Sequence, residues 1–146
     1  MKNKILLSAS ATLIILVAMF FSSVVSAKSF STMPVFTNST VQFSISIPDQ
    51  FSSFIVREEN ENTVNFSFKD KAGKTAFLFS VNKISVNDWF TLKEQLSNYQ
   101  VLENRNGVIY FVLTTSQQKI RSADGDSYSQ VVTHLGDWIS SIKITE

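Results

Sequence analysis

Apolar and polar residues alternate along much of this chain, and each change of period marks a change of element. Val41, Phe43, Ile45 and Ile47 are apolar while Gln42, Ser44 and Ser46 between them are polar, the pattern of one strand with one buried face. Pro48 cannot donate to a ladder and stops it, and Asp49 begins a turn. A short strand is predicted over residues 54–58, followed by an acidic, solvated turn over 58–62. Residues 63–69 alternate again, with Val64, Phe66 and Phe68 facing one way. The Gly-containing stretch 70–74 is a hairpin turn, and 75–82 is the return strand. Phe77, Phe79 and Val81 are expected on one face. Ala76 and Leu78 on the other place this strand near the sheet centre, covered on both sides.

The period then lengthens. Ser85, followed three residues later by Asp88, is a helix start, and Trp89, Leu92 and Leu96 recur at helical spacing to about residue 97. A second hairpin joins 99–104 to 108–115 through Asn106-Gly107, a pair suited to the positive φ angles of a type I′ turn. Residues 108–113 are apolar at all six positions, as in a strand buried on both faces. A polar loop is predicted over 116–125. In the last helix Tyr128, Val131, Val132, Leu135, Trp138, Ile139 and Ile142 follow the i, i+3, i+4, i+7 rule, and 142–144 is a short final strand. Hairpins and separated helices without regular βαβ alternation predict an α+β fold, a mainly antiparallel sheet built from hairpins with two helices packed on it.

The N-terminus is of another kind. Lys2 and Lys4 precede an uncharged run over residues 5–21, and Val25-Ser26-Ala27 offers small side chains to a signal peptidase. The chain is accordingly divided into a signal peptide (1–27), a Ser/Thr-rich lead-in (28–40) and a single α+β domain (41–146). The alternative is an uncleaved membrane anchor, since the run is near bilayer-spanning length. The expected destination is the periplasm or the extracellular space, with membrane contact otherwise only transient.

Composition narrows the chemistry. The 146 residues carry a net charge of +1, and loss of residues 1–27 removes two lysines and no acid. No basic excess suits nucleic acid, so none is expected as a partner. The 13 Phe exclude a disordered chain, and the absence of Cys excludes disulfides, thiol redox chemistry and Cys-based zinc sites. No Gly-rich phosphate loop or Gly-x-Ser-x-Gly elbow is present.

Individual candidates are few. His134, the only histidine, lies just off the stripe of the last helix, with Asp137 one turn away; it is expected on the helix surface. Asp124-Gly125-Asp126-Ser127 fails the calcium-loop spacing, because Ser127 and Thr133 stand at the sixth and twelfth positions. It is expected to be a turn leading into a helix, with Asp126 favouring the helix N-terminus. Glu58, Glu59 and Glu61 sit in a charged turn, unlike the desolvated site that paired acid/base work needs. Asn38-Ser39-Thr40 and Asn65-Phe66-Ser67 match the glycosylation sequon and are discounted. Trp89 and Trp138 are expected in the core; Trp89, Phe90 and Tyr128, if exposed together, would form a binding patch. No catalytic, cofactor-binding or metal-binding residue and no cofactor is expected.

In layout, the mature chain resembles small exported bacterial domains of the PsbP-like α/β sandwich type. The residues concerned are Phe43-Ser44-Ile45-Ser46-Ile47-Pro48-Asp49, the Phe-rich hairpin, Asp88-Trp89-Phe90, Tyr99-Gln100-Val101-Leu102, Asn106-Gly107-Val108-Ile109-Tyr110 and Trp138-Ile139-Ser140-Ser141-Ile142-Lys143. The lead-in over 28–40 departs from that layout. The resemblance implies a non-catalytic binding or assembly-accessory role, and no functional residue carries over. The expected function is therefore an exported, non-catalytic binding or accessory domain whose partner is a protein, peptide or envelope component. The 116–125 loop is the first candidate for contact. Two alternatives remain at this stage: a small hydrolase using His134, and a carrier of an apolar ligand held among Phe66, Phe68, Phe77 and Phe79.

Overall fold

The computed structural model describes residues 30–32, 40–114 and 124–145. In chain order its elements are β1 (Phe30–Thr32), β2 (Phe43–Ser44), β3 (Ser46–Pro48), α1 (Asp49–Ser52), β4 (Ile55–Asn60), β5 (Thr63–Lys69), β6 (Thr75–Ser85), α2 (Val86–Leu92), β7 (Tyr99–Arg105), β8 (Val108–Thr114), α3 (Gly125–Ser140) and β9 (Lys143–Ile144). The architecture is α+β. Five strands form an antiparallel sheet in the order β4-β5-β6-β8-β7, so β6 is central as its apolar content implies. Two short antiparallel pairs, β1–β3 and β2–β9, accompany it.

Residues 41–47 alternate in burial as expected, with Val41, Phe43, Ile45 and Ile47 inside. They do not form one strand. Ile45 separates β2 from β3, and the two halves pair with different partners, β9 and β1. A period-two pattern reports which side chains are buried, and it does not report where the backbone bonds go. The acidic turn also shrinks. Glu58, Glu59 and Asn60 belong to β4, leaving only Glu61-Asn62 to connect it to β5.

The two hairpins carry the clearest correction. Phe66 faces Phe79 across β5 and β6, but Ser67 faces Phe77, so Leu78 is an extra residue in a β-bulge. The bulge turns Phe77 to the opposite face from Phe79 and Val81. Phe77 is 36% exposed and Phe79 is fully buried. A second bulge lies in β7, where Val101 faces Phe111, Glu103 faces Tyr110 and Leu102 is the extra residue. The β7–β8 turn is as predicted: Asn106 and Gly107 both have positive φ, 52° and 78°.

Each face of the sheet has a cover. On the inner face Val64, Phe66, Phe68, Phe79, Val81, Tyr110 and Val112 meet segment 41–51 and the stripe of α3 in one core. Its rings fill the space between the layers. Phe66 stacks on Phe79 at 4.6 Å and takes the edge of Phe43 at 6.2 Å; Phe68 stacks on Phe54 at 5.7 Å and meets Tyr128 edge-on at 5.3 Å. On the outer face Trp89, Ile109 and Phe111 form a smaller cluster with Ile84, Leu92, Leu96 and Leu113. Residues 108–113 thus point alternately into two cores, as their unbroken apolar run implies. The α2 cap is also as expected: Ser85 Oγ accepts from the Asp88 backbone N–H at 3.1 Å. The helix itself ends at Leu92, short of the expected residue 97. Among the described residues, no helix is long and apolar enough to cross a membrane.

Candidate functional site

Among the described residues, a concave surface feature lies at the outer edge of the sheet. Among the described residues, β7 pairs with β8 on one side and with no strand on the other. Its position is set at the start by Asn98, at φ 60°, whose carbonyl accepts from the Thr114 N–H at 3.0 Å. Tyr99 and Val101 face outward and are 40% and 44% exposed. Tyr99 is nevertheless held in place, because Trp89 meets it edge-on at 5.2 Å while resting on Phe111 at 4.8 Å.

Beside β7, on the inner side, a cleft of about 390 Å³ runs between residues 100–103 and 139–144. Leu102, Ile139, Ile142 and Ile144 contribute apolar side chains to its lining, beside the polar Gln100, Glu103, Ser140 and Lys143. Leu102 follows the outward-facing Val101 and so points to this side, and the β7 bulge keeps Glu103 on it as well. The opposite wall is the junction of α3 with β9, fixed by three bonds. Ser46 N–H donates to Ser141 Oγ at 2.9 Å, Ser141 Oγ–H donates to the Trp138 carbonyl at 2.7 Å, and Thr145 N–H donates to the Gln42 carbonyl at 3.0 Å.

Charge at the rim is unevenly satisfied. Arg105 donates from Nε and Nη2 to Glu103 Oε1, both at 2.7 Å. Lys143 is exposed and has no ion-pair partner among the described residues. The far edge of the sheet repeats the paired motif, since Arg57 and Glu59 of β4 also face inward and form an ion pair. Burial holds the Arg57 guanidinium below its usual pKa. Charges that point inward from an outermost strand obstruct the pairing of a further long strand. The two edges differ in the rest of their surface: the exposed positions of β4 are Glu58 and Asn60, whereas β7 presents Tyr99 and Val101.

The other candidates separate. His134 rests on Phe51 at 5.5 Å, and its Nδ1 lies 3.7 Å from Asp137 Oδ2. The Asp137 side chain is 86% exposed. Among the described residues no serine hydroxyl hydrogen-bonds to the imidazole. Asp124 precedes α3 without capping it through its side chain. Its Oδ2 instead accepts from the Lys71 backbone N–H at 2.8 Å, and its Oδ1 lies 3.5 Å from Lys71 Nζ, so it ties the helix start to the 70–74 turn. Asp126 stands in the first turn of α3. Among the described residues no group of three acidic, His or Cys side chains is placed to hold a metal ion.

Trp89 and Tyr128 are buried and only Phe90 is exposed, so the three do not form a joint patch. Burial pushes the Tyr128 phenol above its usual pKa. Phe66 is packed ring against ring with Phe79, Phe68 packs against Phe54 and Tyr128, and Phe77 lies on the other face. Asn65 is half-buried on the outer face of β5. The signal peptide, most of the 28–40 lead-in, Asn38, residue 115 and residues 116–123 of the 116–125 loop lie outside the described residues.

The β7 cleft was not visible in the sequence pattern. Its walls come from segments some forty residues apart, and the one local hint is Val101-Leu102 breaking the alternation. No protein-family model matches this chain, and neither a curated protein nor a solved structure matches it.

Proposed function

We propose that this protein is an exported, non-catalytic binding domain. The observation that carries the proposal is the cleft beside β7: a groove lined by apolar and polar side chains, one wall of which is a sheet edge, held by Trp89 and Asn98, that pairs with no further strand among the described residues. Rigid, concave and partly apolar surfaces of this kind suit recognition. The resemblance of the sequence layout to PsbP-like domains, which implies a binding or accessory role, supports the same proposal. So does the position of His134, whose acid neighbour is solvated and which rests on Phe51. Export rests on Lys2, Lys4, the uncharged run over 5–21 and the small residues up to Ala27.

Two measurements test this. N-terminal sequencing of the protein from the envelope and culture medium should begin at Lys28; a mature chain beginning at Met1 and retained in the membrane contradicts cleavage. The exported protein is then immobilised and panned against displayed peptides and domains, and assayed in parallel on ester, peptide and glycoside substrates. Saturable binding without turnover supports the proposal. Turnover abolished by His134→Ala replaces it with the hydrolase.

A further inference from the structure

We infer that the β7 cleft takes a short extended peptide carrying a carboxylate, which adds as a strand to residues 99–101 and sets the carboxylate against Lys143. This inference rests on the binding-domain proposal and names the ligand class of its site.

The chemistry of each wall points the same way. An outermost strand offers main-chain donors and acceptors along its free side, and an extended backbone is the complement of that array. The exposed stretch of β7 is its first part, Tyr99, Gln100 and Val101. Beyond it the bulge at Leu102 breaks the register, and the Glu103–Arg105 pair occupies the rim. A long strand therefore cannot run the length of β7, and the occupant pairs over about three residues before it ends or turns away.

In an added strand alternate side chains point to opposite faces. One of them points inward, over Leu102, Ile142 and Ile144, which calls for an aliphatic residue. The cleft, at about 390 Å³, accommodates one such side chain with its flanking backbone and not the face of a folded protein. Charge decides the rest. Glu103 is already engaged by two donors of Arg105. Lys143 is the rim cation without an ion-pair partner among the described residues, and it favours an anion. A carboxylate could be supplied by a chain terminus or by an acidic side chain, and both present the same group to Lys143.

Fluorescence anisotropy on the exported protein tests this with labelled hexapeptides of β-branched residues around one central leucine. One probe ends in a free carboxylate, a second is amidated, a third is amidated with an internal aspartate, and a fourth is the first with N-methylated amides. Saturable binding of the first probe is expected, with a loss of about tenfold for the amidated one, the size of one charge-assisted hydrogen bond. If the third probe recovers the affinity, the carboxylate is a side chain; if it does not, it is a chain end. N-methylation should abolish binding, because it removes the ladder donors. Lys143→Glu, on an exposed side chain, should leave the thermal midpoint unchanged and weaken the first probe by at least the same factor.

Equal binding of the N-methylated probe, or undiminished binding to the Lys143→Glu variant, overturns the inference. Concentration-dependent dimerisation lost on Val101→Glu also overturns it, by assigning the edge to a second copy. If the probes fail while panning still yields binders, the β7 assignment falls and the binding-domain proposal stands; if both fail, both fall.

Discussion

Phe77 and Phe79 stand two residues apart in β6 and point to opposite faces of the sheet, because Leu78 is looped out between them. One ring is 36% exposed and the other is fully buried. The two positions should therefore respond very differently to the same truncation. Phe79→Ala opens a cavity against Phe66 and should cost about 3–5 kcal/mol. Phe77→Ala removes a half-exposed ring and should cost less than about 1 kcal/mol. Urea denaturation with the m-value compared across variants measures both. Similar losses at the two sites would contradict the bulge.

A second prediction concerns the sheet edges. Glu103 and Arg105 on β7, and Arg57 and Glu59 on β4, turn charge towards the rims of the inner face. Replacing Glu103 and Arg105 together by valine should lengthen the usable edge and promote self-association, seen in sedimentation velocity as a concentration-dependent shift to larger species. The same pair of changes on β4 should act in the same direction. A strictly monomeric β7 variant would show that the charges do not guard that edge.

The cap of α2 makes a third. Ser85 Oγ accepts from the Asp88 N–H, and Ser85 also leads out of β6. Ser85→Ala leaves that donor without its side-chain acceptor and should lower stability by about 1 kcal/mol, whereas Ser85→Thr, whose hydroxyl can both accept from the Asp88 N–H and donate to its carboxylate, should retain most of it. Thermal melts of the two variants give the comparison.

Tyr128 predicts a pH effect. It is 8% exposed, and burial raises its pKa in the folded chain. The unfolded chain therefore releases the phenol proton first as pH rises, binds fewer protons than the folded chain above the ordinary tyrosine pKa, and is favoured there. Stability from this group is fully present below about pH 10 and declines above it. Tyr128→Phe should show a shallower loss over that alkaline range than the natural protein. Parallel curves would indicate that Tyr128 is no more protected than a solvated tyrosine.

The parts of this fold that were legible in the sequence are those set by local pattern. The Ser85 cap, the Asn106-Gly107 turn, the stripe of α3 and the doubly buried run of β8 all follow from spacing within one element. What pattern could not supply was register. The bulges at Leu78 and Leu102 are defined by the strand opposite, and each reverses the side to which neighbouring residues point. The division of 41–47 between two partners has the same origin. The candidate site depends on such long-range choices. Glu103 shares the inner side with Leu102 only because β7 bulges, and Ile142 and Ile144 line the same cleft only because α3 returns past segment 41–48. His134 and Asp137, by contrast, were close in sequence, yet proximity along a helix did not bring a serine to them.

The account rests on the sheet and α3 sharing one interior, since only then is the wall opposite β7 rigid enough to preform a site. Native-state amide exchange tests this most directly. The slowest amides of α3, at Val131 and Leu135, should exchange with the same free energy as Val81 in β6 and Val112 in β8, close to that of global unfolding. Exchange from α3 through a much cheaper opening, while β6 and β8 stay protected, would show that the helix leaves the sheet independently and would contradict the account.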